Sequence, residues 1–179
     1  MSGIYVDSIK DKSNTKTLAT LSSSAVTLDS SVVFPAGHII QSKFAPSITN
    51  SSTGTVTGTS LVPKADVIDQ ITITSGNGVF IQCQVWLNIT ANTNAYGTIA
   101  ISEGTVASAG AVLEQTYFGS EANEGLYWPA IIWAYDSSPA DTTPDYVISI
   151  ATASGNTTSV NIVSTDATKL SITLQEVKQ

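Results

Sequence analysis

The stretch Gly78-Val-Phe-Ile-Gln-Cys-Gln-Val-Trp-Leu-Asn-Ile-Thr90 decides the fold class. Its odd positions Val79, Ile81, Cys83, Val85, Leu87 and Ile89 are apolar, while Gln82, Gln84, Asn88 and Thr90 on the even positions are polar. Successive side chains leave a strand on opposite faces, so this alternation is that of a β-strand with one face in a core. Phe80 and Trp86 interrupt the polar row with large apolar groups. A row of amides carrying two aromatics fits a face covered by something other than water, and a neighbouring subunit is the expected cover for Phe80 and Trp86.

Similar patterns lie on both sides of it. Asp66–Thr74 alternates at Ile71 and Ile73, and Ser75-Gly-Asn-Gly78 is a turn, which predicts a hairpin between Asp66–Thr74 and the Gly78–Thr90 strand. His38–Phe44 reads as an earlier strand, with a Gly/Ser/Thr-rich connection over Ile48–Thr59. Downstream, Tyr96–Ser102, Ala130–Tyr135, Asp145–Ala153, Ser159–Val163 and Lys169–Val177 are all strand-like. Glu103–Tyr117 also matches a helical stripe at Val106, Ala109, Gly110 and Leu113. Gly104 and Gly110 would each cost that helix about 1 kcal/mol relative to Ala, so a hairpin with Ala111–Phe118 as its return strand is expected instead. Short strands at close spacing with no crossover helix predict an all-β, antiparallel β-sandwich of jelly-roll type.

Composition agrees with this. Charged residues make up 12% of the 179 residues, about half the usual share of ~25%, and Ser and Thr, the polar vocabulary of strands and turns, take their place. There is no Arg, and the formal net charge is -7. Nucleic-acid binding requires cations that displace counterions from phosphate, so that partner class is not expected. No apolar run approaches the ~20 residues of a membrane helix, and no secretory signal is visible at the N-terminus. No membrane insertion is expected. One cysteine, Cys83, falls on the apolar row of its strand, where it reads as a small buried hydrophobe.

Residues 1–36 differ from the rest. Ile4, Val6 and Ile9 are isolated among charges, and Ser13–Leu28 is Ser/Thr-rich with only the short apolar fragments Leu18–Leu21 and Ala25–Leu28. Such a segment buries little surface by itself, which predicts an extended arm that either stays mobile or orders against a partner. Pro35-Ala-Gly37 is a turn signal at the boundary, giving an arm over 1–36 and a β-sandwich head over 37–179.

No catalytic constellation is visible. His38 is the one histidine, and Cys83 sits mid-strand rather than on an exposed turn, so they do not read as a nucleophile pair. Asp66, Asp69, Glu121, Glu124, Asp136, Asp141 and Asp145 lie at strand ends and in turns, where short acidic side chains cap backbone N–H groups. The Asp136–Asp145 turn lacks the Gly and Glu positions of an EF-hand loop. No metal, no cofactor and no enzymatic activity are expected. Tyr117, Phe118, Tyr127, Trp128, Trp133 and Tyr135 cluster around an acidic loop, Gly119–Gly125. They read as core and subunit-interface residues or as a binding surface, and Tyr127 and Trp128, nearest the loop, are the candidates for contact with a glycan or protein.

The opening Val6-Asp-Ser-Ile-Lys-Asp11, the join Phe34-Pro-Ala-Gly-His-Ile-Ile-Gln41, the turn Asp136-Ser-Ser-Pro-Ala140 before Tyr146-Val-Ile, and the ending Leu170-Ser-Ile-Thr-Leu-Gln-Glu-Val177 resemble small tail-fibre-like structural proteins of tailed bacteriophages, especially of marine hosts. The resemblance spans nearly the whole chain in order. It implies a non-enzymatic virion protein made in the host cytoplasm and assembling as a homotrimer. Residues 1–36, with Val6 and Ile9, would attach to other virion proteins, and the head would be in a position to contact a host surface glycan or protein. Capsid decoration and a glycan-binding adhesin or depolymerase-type module are the alternative roles. One departure stands out: where such heads carry an Arg-Gly-Ser/Thr motif in a central hairpin, this chain has Ser102-Glu-Gly-Thr105, and no role of that Arg transfers.

Overall fold

The computed structural model of the chain describes residues 8–10, 17–21, 26–28, 35–45, 55–67, 71–91, 95–120, 126–153, 157–162 and 170–179. Its strands fall into two units, Met1–Pro35 and Ala36–Gln179. In the first, β1 (Ser8–Lys10), β2 (Thr17–Leu21) and β3 (Val26–Leu28) form an antiparallel sheet in the order β1-β2-β3. Ser8 lies opposite Thr20, and Ala19, which is buried, lies opposite Leu28. The described strands pair with one another, a local sheet within the segment expected to be an extended arm. The two apolar fragments contribute β2 and β3, and ladder pairing joins the backbones of the described residues, a contribution that side-chain burial alone leaves out.

The second unit is an all-β, antiparallel sandwich with jelly-roll-like topology. Its strands are β4 (Ile39–Ala45), β5 (Val62–Val67), β6 (Gly78–Ala91), β7 (Ala95–Thr105), β8 (Ser108–Ser120), β9 (Leu126–Asp136), β10 (Tyr146–Thr152), β11 (Thr157–Ile162) and β12 (Leu170–Val177). One sheet has the order β5-β10-β7-β8. The other is centred on β6, whose 14 residues pair with β9 along one edge. Its other edge pairs with β12 from Gly78 to Val85 and with β11 from Leu87 to Ala91, and β4 lies outside β12.

The alternation of the Gly78–Thr90 stretch holds throughout. Val79, Ile81, Cys83, Val85, Leu87 and Ile89 are all buried to within 1%. Each fully buried aliphatic side chain of this kind contributes about 1.5–3 kcal/mol. Facing them from the second sheet are Ile99 and Ile101 of β7 and Tyr146, Ile148 and Ile150 of β10, all part of the same core. Burial along β10 extends to both faces, since Val147, Ser149 and Ala151 are buried as well.

One expected pairing does not form. Asp66–Thr74 is not a strand beside β6: β5 ends at Val67 and pairs with β10 in the other sheet, with Tyr146 opposite Val67. The turn itself is present, with Asn77 N donating to Thr74 O at 3.0 Å and Gly76 at φ 86°, the left-handed value that a type II turn requires at its third position. Ile71 and Ile73 are buried as the alternation suggested, but Ile73 N donates to Thr142 O at 2.8 Å, so a loop takes the bond expected of a sheet neighbour. Apolar alternation reports which side chains are inside. It does not report the strand against which the backbone pairs.

The Glu103–Tyr117 segment is a hairpin. Thr105 pairs with Ser108 across the two-residue turn Val106-Ala107, and Val106 N donates to the carboxylate of Asp66. Gly104, at φ 108°, precedes that turn, and a side chain there would strike the Ser108 carbonyl.

Candidate functional site

Because β6 is flanked on both edges, its even-numbered residues form the middle of a broad outer face. The registers place Phe44, Thr173, Gln82 and Trp133 in one row across β4, β12, β6 and β9. Ser42, Gln175, Phe80 and Tyr135 form the next row, in which Gln175 Nε2 donates to Ser42 Oγ at 3.2 Å. Beyond Gln82, Gln84 lies opposite Ile131 and Trp86 opposite Pro129. Phe44 is 63% exposed, Trp133 60%, Ile131 55% and Tyr135 46%. None of the residues in these rows is Lys, Asp or Glu.

Phe80 and Trp86, the two residues that break the polar row, both lie on this face and are half-buried. They belong to a larger apolar surface. On β9 the inward row is Ala130, Ile132 and Ala134, and the large side chains Ile131, Trp133 and Tyr135 point the other way. The sequence shows Ala130–Tyr135 as an apolar strand but not which half is inside. The signal was available: the odd positions carry the bulk and the even positions are mostly Ala, and a second face made only of large groups is not a solvent face. Gly78 lies beneath Tyr135, since a side chain at this position would meet Tyr135 Oη at 2.5 Å.

Tyr127 and Trp128 lie on the backbone of β9 opposite Asn88 and Leu87. Their side chains lie outside the described residues, as do Val6 and the side chain of Ile9, whose backbone pairs with Ala19 in β1. The structure therefore assembles Phe80 and Trp86 with Phe44, Ile131, Trp133 and Tyr135.

No family model matches the sequence, and no curated protein matches it. Among solved structures, the chain is similar to Eiger TNF from S. frugiperda at 10% identity and TM-score 0.43, covering 79% of this chain and 94% of that one. It is also similar to the VP2 subviral particle of infectious bursal disease virus at 10% identity and TM-score 0.27, covering 86% of this chain and 45% of that one.

Several of the chemical groups that the sequence raised have structural duties. The Cys83 thiol is fully buried, and desolvation pushes its pKa up to about 12, so it is protonated at neutral pH. Native protein is expected to resist a thiol reagent such as DTNB and to react with one equivalent once unfolded in guanidinium; rapid reaction of the folded protein would show the core strand to be open. Asp136 accepts from Ser138 N at 3.0 Å and from Tyr146 Oη at 3.2 Å. Burial, followed by the charge of Asp136, raises the pKa of the Tyr146 phenol far above its usual range. Glu103 accepts from Ala140 N at 2.6 Å, and Asp141 from Thr143 N at 2.7 Å. Among the described residues no group of three or more His, Cys, Asp or Glu could hold a metal ion. Glu121, Glu124 and Asp69 lie outside the described residues.

One buried carboxylate was missed in the sequence. Glu176, on β12, is 1% exposed. It accepts from Thr74 N at 2.7 Å, Asn77 Nδ2 at 2.6 Å and Gln41 Nε2 at 2.7 Å, while Gln41 Nε2 also donates to Thr72 O. Burial pushes its pKa up, but the hydrogen bonds from Asn77, Thr74 and Gln41 together outweigh that and leave it below the ordinary carboxylate range. A glutamate near a C-terminus carries no sequence signal of this. The donors come from residues 99, 102 and 135 positions away.

Proposed function

We propose that this chain is a non-enzymatic structural subunit of a bacteriophage virion, an appendage component of tail-fibre type that assembles as a homotrimer. The observation that carries this reading is the outer face of the β4-β12-β6-β9 sheet. Exposed apolar patches of this kind mark protein contacts. The combination of aromatic groups, hydrogen-bonding amides and absent charge is the composition of an interface centre rather than of a wet surface. The second copy buries Phe44, Phe80, Trp86, Ile131, Trp133 and Tyr135, and Gln82 and Gln84 form hydrogen bonds across the contact. A stoichiometry of three and the virion setting rest on the resemblance of the four sequence motifs. Residues 1–36, including Val6 and Ile9, grip other virion proteins, and Tyr127 and Trp128 contact the host surface.

Light scattering of the purified full chain tests the assembly. The expected mass is three times the 18.6 kDa of one chain. A stable species of 18.6 kDa at micromolar concentration would remove the self-association on which this reading depends. Labelling the chain on intact particles tests the setting, with signal on the tail expected and none on the particle counting against a virion role.

A further inference from the structure

Asn77-Gly78 is the one Asn-Gly pair in the sequence. The fold requires its glycine, because a side chain at position 78 would meet Tyr135 Oη at 2.5 Å and the Asp136 carbonyl at 2.8 Å. A glycine in this place has a chemical consequence as well: with no Cβ in the way, its backbone nitrogen is free to attack Cγ of the preceding asparagine and expel the amide as ammonia. Three features of the closed fold oppose that attack. Asn77 is 2% exposed and Gly78 is buried, so water and base are kept from the pair. Asn77 Nδ2 donates to Glu176 Oε1 at 2.6 Å, which ties the leaving group to β12 and removes the side-chain rotation that ring closure needs. Asn77 Oδ1 is buried with no hydrogen-bond partner, so the negative charge that gathers on this oxygen during attack has no donor to stabilise it.

This protection is local. Thr74, Ser75 and Gly76 are exposed, and a few bonds fasten the turn to the body: Thr74 N and Asn77 Nδ2 donate to Glu176 Oε1 at 2.7 and 2.6 Å, and Ile73 N donates to Thr142 O at 2.8 Å. An exposed turn held in this way opens at a lower free-energy cost than the core strands. We infer that Asn77 is a site of spontaneous deamidation, gated by the opening of this turn. Once it is open, the Gly78 N–H loses its proton to hydroxide, the nitrogen bonds to Asn77 Cγ, and the Cγ–Nδ2 bond breaks, ammonia leaving with a proton taken from water. A second water then opens the five-membered imide to aspartate or isoaspartate. The product carboxylate stands where the amide donated to Glu176, and two carboxylates at that distance cannot both stay ionised. Isoaspartate also lengthens the main chain by a methylene at the start of β6. Either product keeps the turn from closing, so the conversion is a one-way record of opening. It does not depend on the virion reading.

Peptide mapping by mass spectrometry, after incubation of the full chain in mildly alkaline buffer, is the test. In guanidinium, Asn77 is expected to convert to the acid faster than any other asparagine of the chain, and in the folded protein at least about tenfold more slowly than in guanidinium. Glu176→Gln, which weakens the grip on the turn, is expected to raise the folded-state rate several-fold. Ile99→Val, in the core of the opposite sheet, loosens the domain without touching the turn and is expected to leave that rate unchanged. Asn77→Asp, which supplies the product directly, is expected to speed hydrogen exchange of the Thr74 and Asn77 amides at least about tenfold while the Ile99 amide stays protected. The inference is overturned if folded and denatured chains convert at the same rate, if another asparagine reacts first in guanidinium, if Ile99→Val accelerates conversion as much as Glu176→Gln, or if the turn of Asn77→Asp exchanges as slowly as the parent's.

Discussion

The double substitution Phe44→Glu with Trp133→Glu is expected to convert the proposed assembly to monomers while leaving the fold intact. Both residues occupy the same cross-strand row, at its two ends on β4 and β9. Both are more than half exposed, so a charged replacement in an isolated subunit costs almost nothing. In the assembly the same replacement removes two aromatic anchors and places carboxylates where water is excluded. At about 2 kcal/mol for each hot-spot residue, the pair weakens association by about three orders of magnitude before the cost of burying charge is added. Sedimentation would then show a single 18.6 kDa species with the far-UV spectrum of the parent. Val62→Glu, on the edge strand β5 of the opposite sheet, is the control and is expected to leave the assembly intact. Equal dissociation by Val62→Glu, or persistence of the assembly in the double variant, would place the contact elsewhere.

What could be read in the sequence follows a physical division. Residues on β6 stood out because one face of that strand is dry and the other is mostly amide, so period two appears as a contrast in polarity. The same contrast failed on β10, where Ser149 is as buried as its apolar neighbours, and on β9, where both faces are apolar. In these strands hydropathy does not separate inside from outside, and only side-chain bulk does. Partner choice was less accessible still. The turn at Ser75–Gly78 was visible from its glycines, yet β5 crosses to the other sheet before that turn is reached. Short-range turn chemistry fixes a change of direction, while pairing depends on contacts far away in the chain. In the first unit the ladder of β1, β2 and β3 is made by backbone groups that every sequence carries, which is why a Ser/Thr-rich tract read as an unpaired arm. At the candidate surface, Phe80 and Trp86 were legible as exceptions within a polar row. Phe44 was not, because its place on the face is set by its register with Thr173.

Glu176→Ala is expected to cause the largest loss of stability of any single polar substitution in the second unit. Its carboxylate binds the start of β4 through Gln41, the turn before β6 through Thr74 and Asn77, and β12 through its own backbone. Removing it strands the Asn77 amide in a buried place and the Thr74 N–H in a part-buried one, at about 1–3 kcal/mol each. A total of about 2–6 kcal/mol is a large part of the ~5–15 kcal/mol that holds a domain folded. Glu176→Gln keeps an oxygen for Thr74 and Asn77 but turns an amide nitrogen towards Gln41 Nε2, so it should lose less. The two variants also separate charge from shape. The folded-state pKa of Glu176 lies below its ordinary value of 4.5, so between the two values the unfolded chain binds the proton more readily. Its stabilisation is therefore complete above the ordinary value and fades as pH falls through the folded one. Urea midpoints of the parent and Glu176→Gln should differ most near neutrality and converge in acid. A gap between them that stays constant down to acid pH would mean that Glu176 acts through its shape and that its ionisation contributes nothing to holding the β4, β6 and β12 segments together.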